Sequence, residues 1–245
     1  MKLTFTIPAY NEEACLSKCL DSIFREMDGI TADVEIIVVN NASTDRTKEI
    51  ALSYPGIKVI DEPRKGLVKA RQAGYKAAKG DLIANIDADN MLTHGWIRKV
   101  FGEFSGNENL IALSGPIIYY DLPRIINIQV KIFYGLGYIT NIFNNYIFKK
   151  GAMLQGGNFV VKKSALEKIG GYDTDIDFYG EDTDIACRLR KAGPVKFTFK
   201  LPIYSSGRRL AAEGIFRTGL RYAANYFWVI FLKKPYSEKS TDIRV

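Results

Sequence analysis

Two carboxylates one residue apart, Asp87 and Asp89, are the first candidates for chemistry in this chain of 245 residues. They follow a short apolar run over residues 82–86 that predicts a strand. Successive side chains of a strand alternate between its faces, so an extended continuation would point both carboxylates the same way. Like charges on one face repel, and folded proteins keep them mainly where a cation or ligand uses them. A solvated acidic turn is the alternative, and the pair alone does not decide.

A second acidic pair, Glu181 and Asp182, follows Gly180 just before a predicted helix over residues 184–191. Carboxylates are favoured near a helix N-terminus because the helix dipole stabilises negative charge there. Carboxylates also serve as general bases when an attacking hydroxyl must lose its proton. Taken alone, the pair is better explained as the acidic first turn of a helix, which is also the explanation for Asp184.

Strands and helices alternate over the first 90 residues and must position these acids. Apolar runs predict strands over residues 3–7, 34–39, 57–60 and 82–86. Helices are predicted between them, and the first has Asn11 as its N-cap, with Glu12 and Glu13 in its first turn. Such alternation is typical of βαβ units with right-handed crossovers. We therefore predict an α/β fold with a mostly parallel central sheet and helices on both faces.

Polar clusters follow the first, second and fourth predicted strands, at residues 9–11, 40–45 and 87–89. In open parallel sheets, ligands bind beyond the carboxyl ends of the strands, where these clusters converge. The chain contains neither GxGxxG nor GxxxxGK[ST], so a dinucleotide site or a P-loop is not favoured. The sequence predicts a ligand site of another kind at this edge.

The cysteines and the single histidine limit the kinds of disulfide, metal site and catalytic triad that this chain can form. Cys15, Cys19 and Cys187 show no CxxC spacing, and the first two would lie one helical turn apart, so we expect free thiols in a reducing cytoplasm. His94 is the only histidine, which excludes a histidine-rich metal site and a histidine-based triad. The segment before Pro8 is too short for a signal peptide and no apolar run reaches about 18 residues, so we expect no membrane-spanning helix.

Six segments form a series in order and at natural spacing. They read IPAYNEE (7–13), VVNNASTD (38–45), GLVKARQAG (66–74), NIDADN (85–90), GGNFVVKKSALEKIGGYD (156–173) and FYGEDTDIACRLRKAG (178–193). The series resembles the motifs of the family-two glycosyltransferases with the GT-A fold and covers about residues 3–210. It implies one domain, with a nucleotide-sugar-binding half (1–90) and an acceptor half (91–210), before a basic amphipathic helix and tail (211–245). It also implies transfer of a sugar from a nucleotide sugar with inversion at the anomeric carbon.

The resemblance implies that Asp89 coordinates Mg²⁺ or Mn²⁺ on the donor's diphosphate, where hard oxygen ligands suit both cations. The cation would act as a Lewis acid toward the leaving nucleoside diphosphate. Asp87 would accept from the ribose hydroxyls or contact the donor sugar. Many relatives supply a further metal ligand as a histidine after the base, but residues 203–209 read IYSSGRR. We hypothesise that Arg208 or Arg209 reaches the diphosphate instead, as a charge-assisted clamp.

The resemblance also implies a pocket for the nucleotide base lined by Pro8, Ala9 and Tyr10, with Tyr10 stacking on the base; core packing is the alternative for Tyr10. Asn41 matches a family carboxylate that binds the imide N–H of uracil. Its amide oxygen accepts the same proton, but its NH₂ group also donates, so uridine, thymidine and guanosine donors stay open. Arg71 would meet the base or a phosphate from its helix, and a solvated helix face is the alternative.

In the family, the catalytic base is the aspartate of a Glu-Asp pair that opens a helix. This implies Asp182 as the base, with the adjacent Glu181 raising its pKa. Gly157 and Asn158 match substrate-binding positions at the start of a predicted strand. A glycine lets the backbone approach the donor sugar closely, although turn geometry alone also explains it.

Residues 124–148 and 211–234 combine aromatic and aliphatic side chains with basic ones. Residues 206–245 contain eight Lys and Arg against three acids, which is five of the net charge of +7. Both segments are typical of amphipathic helices that lie in a membrane interface, and core helices or homodimer contacts explain them equally well. No nucleic-acid partner is expected, because the aromatic residues follow helical rather than sheet spacing.

The sequence thus predicts an inverting, metal-dependent glycosyltransferase with a nucleotide-sugar donor and a saccharide or lipid-linked acceptor, in cell-envelope or lipid-linked polysaccharide synthesis. We expect it in the cytoplasm, either free or peripheral on the inner face of the cell membrane. A sugar nucleotidyltransferase is one alternative, but it needs a Gly-rich, Arg-containing loop after the first strand, which IPAYNEE does not provide. The other is a non-catalytic nucleotide-sugar-binding protein, against which Asp87, Asp89 and Asp182 argue.

Overall fold

The computed structural model describes residues 1–234, 236 and 237. Its strands are β1 (Leu3–Ala9), β2 (Val34–Asn40), β3 (Ile57–Asp61), β4 (Leu82–Ile86), β5 (Asn90–Leu92), β6 (Ala112–Ser114), β7 (Ile117–Tyr119), β8 (Asn158–Lys162), β9 (Val195–Phe197) and β10 (Ile203–Ser205). The central sheet has the order β3-β2-β1-β4-β8-β6-β9 and is parallel except for β8. A small second sheet has the order β5-β10-β7.

Helices connect the strands and cover both faces of the central sheet. They are α1 (Leu16–Met27), α2 (Thr47–Ser53), α3 (Leu67–Ala77), α4 (Trp96–Gly106), α5 (Arg124–Asn141), a π-helix (Ile142–Ile147), α6 (Lys163–Lys168), α7 (Glu181–Ala192), α8 (Arg208–Glu213) and α9 (Ile215–Leu232). One apolar core contains α1 and α4 residues, and the other contains α3, α6 and α7 residues. The predicted α/β class, with helices on both faces of a mostly parallel sheet, is confirmed.

Continuous apolar runs explain the central strands. In β2, Ile36 and Val38 pack into one core while Ile37 and Val39 pack into the other, as expected for a strand covered on both faces. The four strands predicted in the first 90 residues form within two residues of their predicted ends, and β4 has its predicted bounds. The apolar runs therefore locate the four strands, although no side chain of β3 is buried.

The first helix differs from its prediction. It begins at Leu16, five residues after the predicted N-cap Asn11. Asn11 adopts a left-handed backbone conformation with φ 49°, and its side-chain oxygen accepts from the Thr44 backbone N–H at 2.9 Å. Asn11 therefore joins two loops at the sheet edge, and Glu12 lies in a loop before the helix.

The small second sheet brings distant parts of the chain together. Strand β10 runs antiparallel to β5, and Ser205 pairs with Asn90. Strand β5 begins directly after Asp89, so the start of α8 at Arg208 comes close to the predicted metal ligand.

The two predicted halves share the central sheet, because β4 pairs with β8. The predicted boundary at residue 210 falls within α8, and the helix predicted over residues 211–234 is two helices separated by Gly214, with φ 81°. No helix within the described ranges is both long enough and apolar enough to cross a membrane. Part of the predicted basic tail lies outside the described residues, namely Glu238, Lys239, Asp242 and Arg244.

Candidate active site

Asp87 and Asp89 lie in a turn between β4 and β5. The backbone N–H of Asn90 donates to the Asp87 carbonyl at 3.0 Å and closes the turn. The prediction that strand alternation aligns the two carboxylates is therefore wrong, because the strand ends at Ile86. Both side chains remain partly exposed at the carboxyl edge of the sheet. We call this segment the aspartate turn.

Arg71 of α3 joins the aspartate turn to the second acidic pair. Its guanidinium donates to Asp87 Oδ1 at 2.9 Å and, through its other terminal nitrogen, to Glu181 Oε1. The Arg71 side chain is 1% exposed, and a buried charge is stable only when it is paired. Both terminal nitrogens of Arg71 thus bind carboxylates, and its contact with base or phosphate stays a prediction.

Gly156 and Gly157 let the backbone before β8 pass close to this bridge. A Cβ atom at Gly157 would lie 2.5 Å from Asp87 Oδ2, and one at Gly156 would lie 2.8 Å from Glu181 Oε1. The Asn90 side-chain amide also donates to the Gly157 carbonyl at 2.7 Å. The close approach predicted for Gly157 is made to the aspartate turn, and its contact with a donor sugar stays a prediction.

Glu181 and Asp182 form the first turn of α7, which begins three residues earlier than predicted. Asp182 Oδ1 accepts from the Thr183 backbone N–H at 2.7 Å and from the Thr183 hydroxyl at 3.3 Å. Burial raises the pKa of Asp182, against the effect of these hydrogen bonds. Burial also raises the pKa of Glu181 to about 7, although Arg71 opposes this increase. The largest cause of this rise in the pKa of Asp182 is burial, and not the charge of Glu181 that the sequence suggested.

Arg208 lies beside Asp89 and Glu12. Its guanidinium is 3.1 Å from Asp89 Oδ2 and 2.5 Å from Glu12 Oε1. Burial raises the pKa of Asp89 to about 7; Arg208 opposes this increase, and Asp87 and Glu12 add to it. Sequence analysis missed Glu12 as a site residue, because its partner is 196 positions away. The position of Glu12 in the motif IPAYNEE could have identified it as a site residue.

Arg209 contacts a different wall of the site. Its guanidinium lies 4.8 Å from the ring centre of Phe178 and 3.2 Å from Glu213. Arg221 of α9 donates to Glu213 at 2.7 Å and to the Tyr179 hydroxyl at 2.8 Å. Phe178 and Tyr179 lie just before the acidic pair in the chain, so these residues form a cationic and aromatic wall beside the predicted base.

Three tyrosine hydroxyls interact electrostatically with one or the other acidic group. Burial of the hydroxyl groups raises the pKa values of Tyr119, Tyr134 and Tyr222, although Tyr222 as a whole residue is 47% exposed. The charge of Asp89 adds to this increase for Tyr119, and the charge of Asp182 adds to it for Tyr134 and Tyr222. Sequence analysis missed these phenols, because none lies in a motif of the series.

The predicted base-pocket residues lie together at the end of β1. Pro8 and Ala9 are buried, and Tyr10 is partly exposed. The Lys65 ammonium group donates to the Tyr10 hydroxyl at 2.7 Å and lies 3.9 Å from the ring centre. The aromatic ring of Tyr10 is therefore at the surface beside a cation, and its stacking on a base stays a prediction.

Asn41 uses its amide within the chain. Its Nδ2 donates to the carbonyls of Glu62 and Arg64 at 2.8 and 2.9 Å, and its Oδ1 accepts from the Gly66 N–H at 2.8 Å. Both amide hydrogens are thus used, and the side chain is buried. The structure does not support the predicted direct contact with a base, because Asn41 holds the loop before α3.

Asn158 is fully buried, contrary to its predicted contact with substrate. Its Oδ1 accepts from the Trp96 indole N–H at 3.3 Å, and its Nδ2 donates to the carbonyls of Leu201 at 2.9 Å and Pro116 at 3.3 Å. The side chain therefore ties β8 to neighbouring segments. Its role is structural, because its hydrogen-bonding groups face the protein interior.

Asp89 offers a hard oxygen ligand for a divalent cation. No group of three or more His, Cys, Asp or Glu side chains in the described part of the chain is arranged to hold a metal ion. Arg208 already lies against Asp89, and Arg71 lies against Asp87. These residues fit a cation whose coordination shell is completed by phosphate oxygens of a bound donor, and not one held by the protein alone.

Comparison with known families adds an independent observation. The model of glycosyl transferase family 2 matches residues 4–170, which is more than half of the chain. The chain belongs to glycosyl transferase family 2. The probable glycosyltransferase YdaM of Bacillus subtilis (strain 168) is 30% identical over 208 residues, which cover 78% of this chain and 47% of YdaM. The chain spans less than half the length of the first curated relatives it matches.

Solved structures share the fold. The mannosyltransferase PcManGT from Pyrobaculum calidifontis, in complex with GDP-Man and Mn²⁺, has a TM-score of 0.67 at 21% identity and covers 94% of this chain and 63% of its own. Glucosyl-3-phosphoglycerate synthase from Mycobacterium tuberculosis, in complex with Mn²⁺, UDP-glucose and phosphoglyceric acid, has a TM-score of 0.64 at 20% identity. The match covers 94% of this chain and 79% of the synthase chain. The predicted GT-A fold is confirmed.

Proposed function

We propose that this family 2 chain transfers a sugar from a nucleotide-sugar donor to an acceptor hydroxyl by direct displacement with inversion. The observation that carries the proposal is the Arg71 bridge, since it brings the aspartate turn and the Glu181–Asp182 pair into one site. Family membership supports the reaction class. The nucleotide sugars in the complexes of PcManGT and the M. tuberculosis synthase support the donor class.

On the donor side, Asp87 accepts from the ribose hydroxyls or the sugar while Arg71 fixes its carboxylate. Pro8, Ala9 and Tyr10 form one wall of the base pocket, with the Tyr10 ring available for stacking. Asn41 acts indirectly, because its amide holds the loop before α3 in place. We keep the uridine, thymidine and guanosine donors as candidates.

Asp89 would hold Mg²⁺ or Mn²⁺ together with the donor phosphates. When bound, the cation neutralises charge on the leaving nucleoside diphosphate. Arg208 binds the diphosphate through charge-assisted hydrogen bonds, exchanging a carboxylate partner for phosphate oxygens. Arg208 is favoured over Arg209 for this clamp, because Arg208 lies against the aspartate turn and Arg209 lies against Phe178.

Asp182 removes the proton of the acceptor hydroxyl as its oxygen forms a bond to the anomeric carbon. The bond between that carbon and the donor phosphate breaks, and the diphosphate leaves with the electron pair. The raised pKa of Asp182 suits this role, because a base whose pKa lies nearer the working pH accepts a proton more readily. Glu181 keeps the pair in position through Arg71. The phenols of Tyr119, Tyr134 and Tyr222 line the acceptor side.

Donor binding is tested first by thermal stability, since a ligand of the folded state raises the melting temperature. Wild type and Asp89→Ala are compared with UDP-, dTDP- and GDP-sugars, with and without Mn²⁺. We expect a shift for one nucleotide class that needs Mn²⁺ and is lost in Asp89→Ala. No shift with any donor would favour a non-catalytic protein.

Catalysis is tested with Asp182→Asn, which keeps the shape of the side chain but cannot accept the proton. The matched control is Asp184→Asn in the same helical turn, where Asp184 pairs with Arg188 at 2.6 Å. We expect the first variant to retain donor binding and lose turnover, and the control to retain both. Equal turnover in the two variants would contradict the assignment of the base.

The acceptor is proposed to be a saccharide or a lipid-linked intermediate of polysaccharide synthesis, met in the cytoplasm at the inner face of the cell membrane. Residues 1–90 are proposed to supply the donor half and residues 91–210 the acceptor half. The base and the hydroxyls of Tyr119 and Tyr134 fall in the second range, and the aspartate turn falls in the first, which supports this division; Tyr222 lies beyond it on α9.

A further inference from the structure

Helices α5 and α9 and the π-helix have their apolar side chains outside. Nineteen of the twenty-four exposed large hydrophobic side chains in the described part of the chain lie in residues 124–148 and 215–236. On α5 and the π-helix the exposed stripe contains Ile125, Ile128, Ile132, Leu136, Ile139 and Phe143, at steps of three and four residues. A helix on a water-exposed surface normally presents polar residues along such a stripe.

Four of the six buried residues on the same helices are polar, and the other two are Val130 and Val229. Asn141, Asn145, Thr218 and Asn225 are each at most 2% exposed. Asn145 donates to the Val195 carbonyl at 2.8 Å. Polar groups inside and apolar groups outside are the reverse of the arrangement of an ordinary surface helix. The exposed side of these helices therefore requires a partner that is apolar.

The helices form one continuous surface. A Cβ atom at Gly219 of α9 would lie 3.2 Å from the Phe133 ring of α5, and Asn144 donates to the Tyr226 hydroxyl at 3.0 Å. We call the exposed side of α5, the π-helix and α9 the apolar–basic surface. It is large and contiguous, unlike the scattered apolar side chains of an ordinary monomer surface.

Basic residues surround the apolar stripe. Residues 124–150 and 214–234 contain eight Lys and Arg and no Asp or Glu. They are Arg124, Lys131, Lys149, Lys150, Arg217, Arg221, Lys233 and Lys234. Arg221 pairs with Glu213, and none of the other seven forms an ion pair with any described acid. This charge selects an anionic partner.

We propose that the apolar–basic surface lies in the interface of a bilayer that contains anionic phospholipids. The stripe would enter the boundary between headgroups and acyl chains, and the Lys and Arg side chains would reach the lipid phosphates. The helices lie in the plane, because none of those described is suited to crossing a bilayer. A second copy of the chain fits less well, since a symmetric dimer would place two such cationic surfaces against each other.

The surface lies next to the proposed catalytic site. Arg221 of α9 donates to Tyr179, two residues before Glu181, and Tyr222 is exposed on the surface while its hydroxyl interacts with the charge of Asp182. Resting on the proposed function, this arrangement assigns the acceptor to the lipid-linked class, with its hydroxyl at Asp182 and its hydrocarbon chain in the bilayer.

The test is co-sedimentation of the full chain with vesicles of phosphatidylcholine alone or mixed with phosphatidylglycerol. We expect binding to the anionic vesicles, weakened by salt because the basic side chains are exposed. Trp228 is 41% exposed on α9, and the other tryptophan, Trp96, is buried. We expect a blue shift of tryptophan emission on binding, which Trp228→Phe abolishes.

Charge insertion makes the test specific. Ile132→Glu and Leu220→Glu, at side chains that are 60% and 69% exposed, should each weaken vesicle binding at least about tenfold, because each loses the burial of one large aliphatic group. The matched control is Leu52→Glu on α2, where the leucine is 61% exposed outside the surface; it should bind like wild type.

Recovery of folded wild type in the supernatant at low salt with both vesicles would overturn the proposal. So would a stable dimer that Ile132→Glu and Leu220→Glu convert to monomers, since a second copy would then cover the surface. Donor-induced thermal shifts are measured on the same samples. Lost vesicle binding with intact donor shifts refutes only this proposal, and the reverse result refutes only the glycosyltransferase proposal.

Discussion

The guanidinium of Arg208 lies 3.1 Å from the carboxylate of Asp89, and the pairing of Ser205 with Asn90 in the small second sheet brings the two residues together. This contact gives the aspartate turn a cation from the protein at the place where relatives are expected to use a further metal ligand. Under the proposed function, Arg208 and a divalent cation would therefore compete for Asp89 until a diphosphate binds. Arg208 would thus have two roles: it binds the donor diphosphate when the donor is present, and it pairs with Asp89 when the donor is absent.

Replacement of Arg208 by alanine tests both roles. We expect Arg208→Ala to raise the donor KM at least about tenfold, because a hydrogen bond to a charged group contributes about 1.5–3 kcal/mol. We expect the same variant to bind Mn²⁺ more tightly than wild type without nucleotide, as measured by calorimetry. A merely structural role would not increase metal affinity. Unchanged donor kinetics and unchanged Mn²⁺ affinity would exclude the clamp, and Arg208→Lys should restore part of the donor affinity.

The Arg71 bridge predicts a strong effect on stability. Arg71→Met leaves two carboxylates without their buried cation, and loss of one partner of a buried ion pair costs about 3–5 kcal/mol. We expect a loss of this size in urea unfolding. Adding Glu181→Gln should recover about 1–3 kcal/mol, since the uncompensated charge is removed. Additive losses in the double variant would show that Arg71 and Glu181 are not coupled.

The raised pKa of Asp182 predicts a pH dependence. The base works when ionised, so kcat/KM should fall as pH decreases through a pKa above the ordinary aspartate value of about 3.9. The pH dependence of stability has the opposite sign. Between the ordinary and the raised pKa, the native state binds more protons than the unfolded state, so the free energy of unfolding decreases as pH rises. Asp182→Asn should lose turnover and remove the Asp182 share of the pH dependence of stability, whereas Glu181 and Asp89, whose pKa values are also raised, keep their shares. An acidic limb at or below the ordinary value would contradict this prediction.

Much of the fold and part of the site could be predicted from local sequence. β4 has its predicted bounds, and its five consecutive buried side chains are typical of a strand that is covered on both faces. The two acidic pairs could be identified as candidates because their motifs are local. The Arg71 bridge that connects the two pairs could not be predicted, because Arg71 and Glu181 are 110 positions apart in the chain.

The asparagines show where local patterns fail. Asn41 and Asn158 lie in the motif series, but their amides bind the chain itself, and the sequence letter does not reveal which way an amide points. Asn11 carries a good N-cap side chain, yet its left-handed backbone places it in a loop. Amphipathic periodicity predicted helices at α5 and α9 but left open whether their apolar faces point outward, because only tertiary packing decides which face is covered.

Gly157 gives a steric test of the aspartate turn. In Gly157→Ala the new Cβ would lie 2.5 Å from Asp87 Oδ2 and 2.6 Å from Asn90 Nδ2, so the turn must move. We expect weaker donor binding and a stability loss of about 1–3 kcal/mol, as is usual for overpacking. The matched control is Gly102→Ala in α4, where no atom lies within 4 Å of the new Cβ. The control should gain about 0.5–1 kcal/mol, because alanine is favoured over glycine within a helix. Wild-type donor affinity in Gly157→Ala, measured by calorimetry, would show that the position of the aspartate turn does not control the donor site.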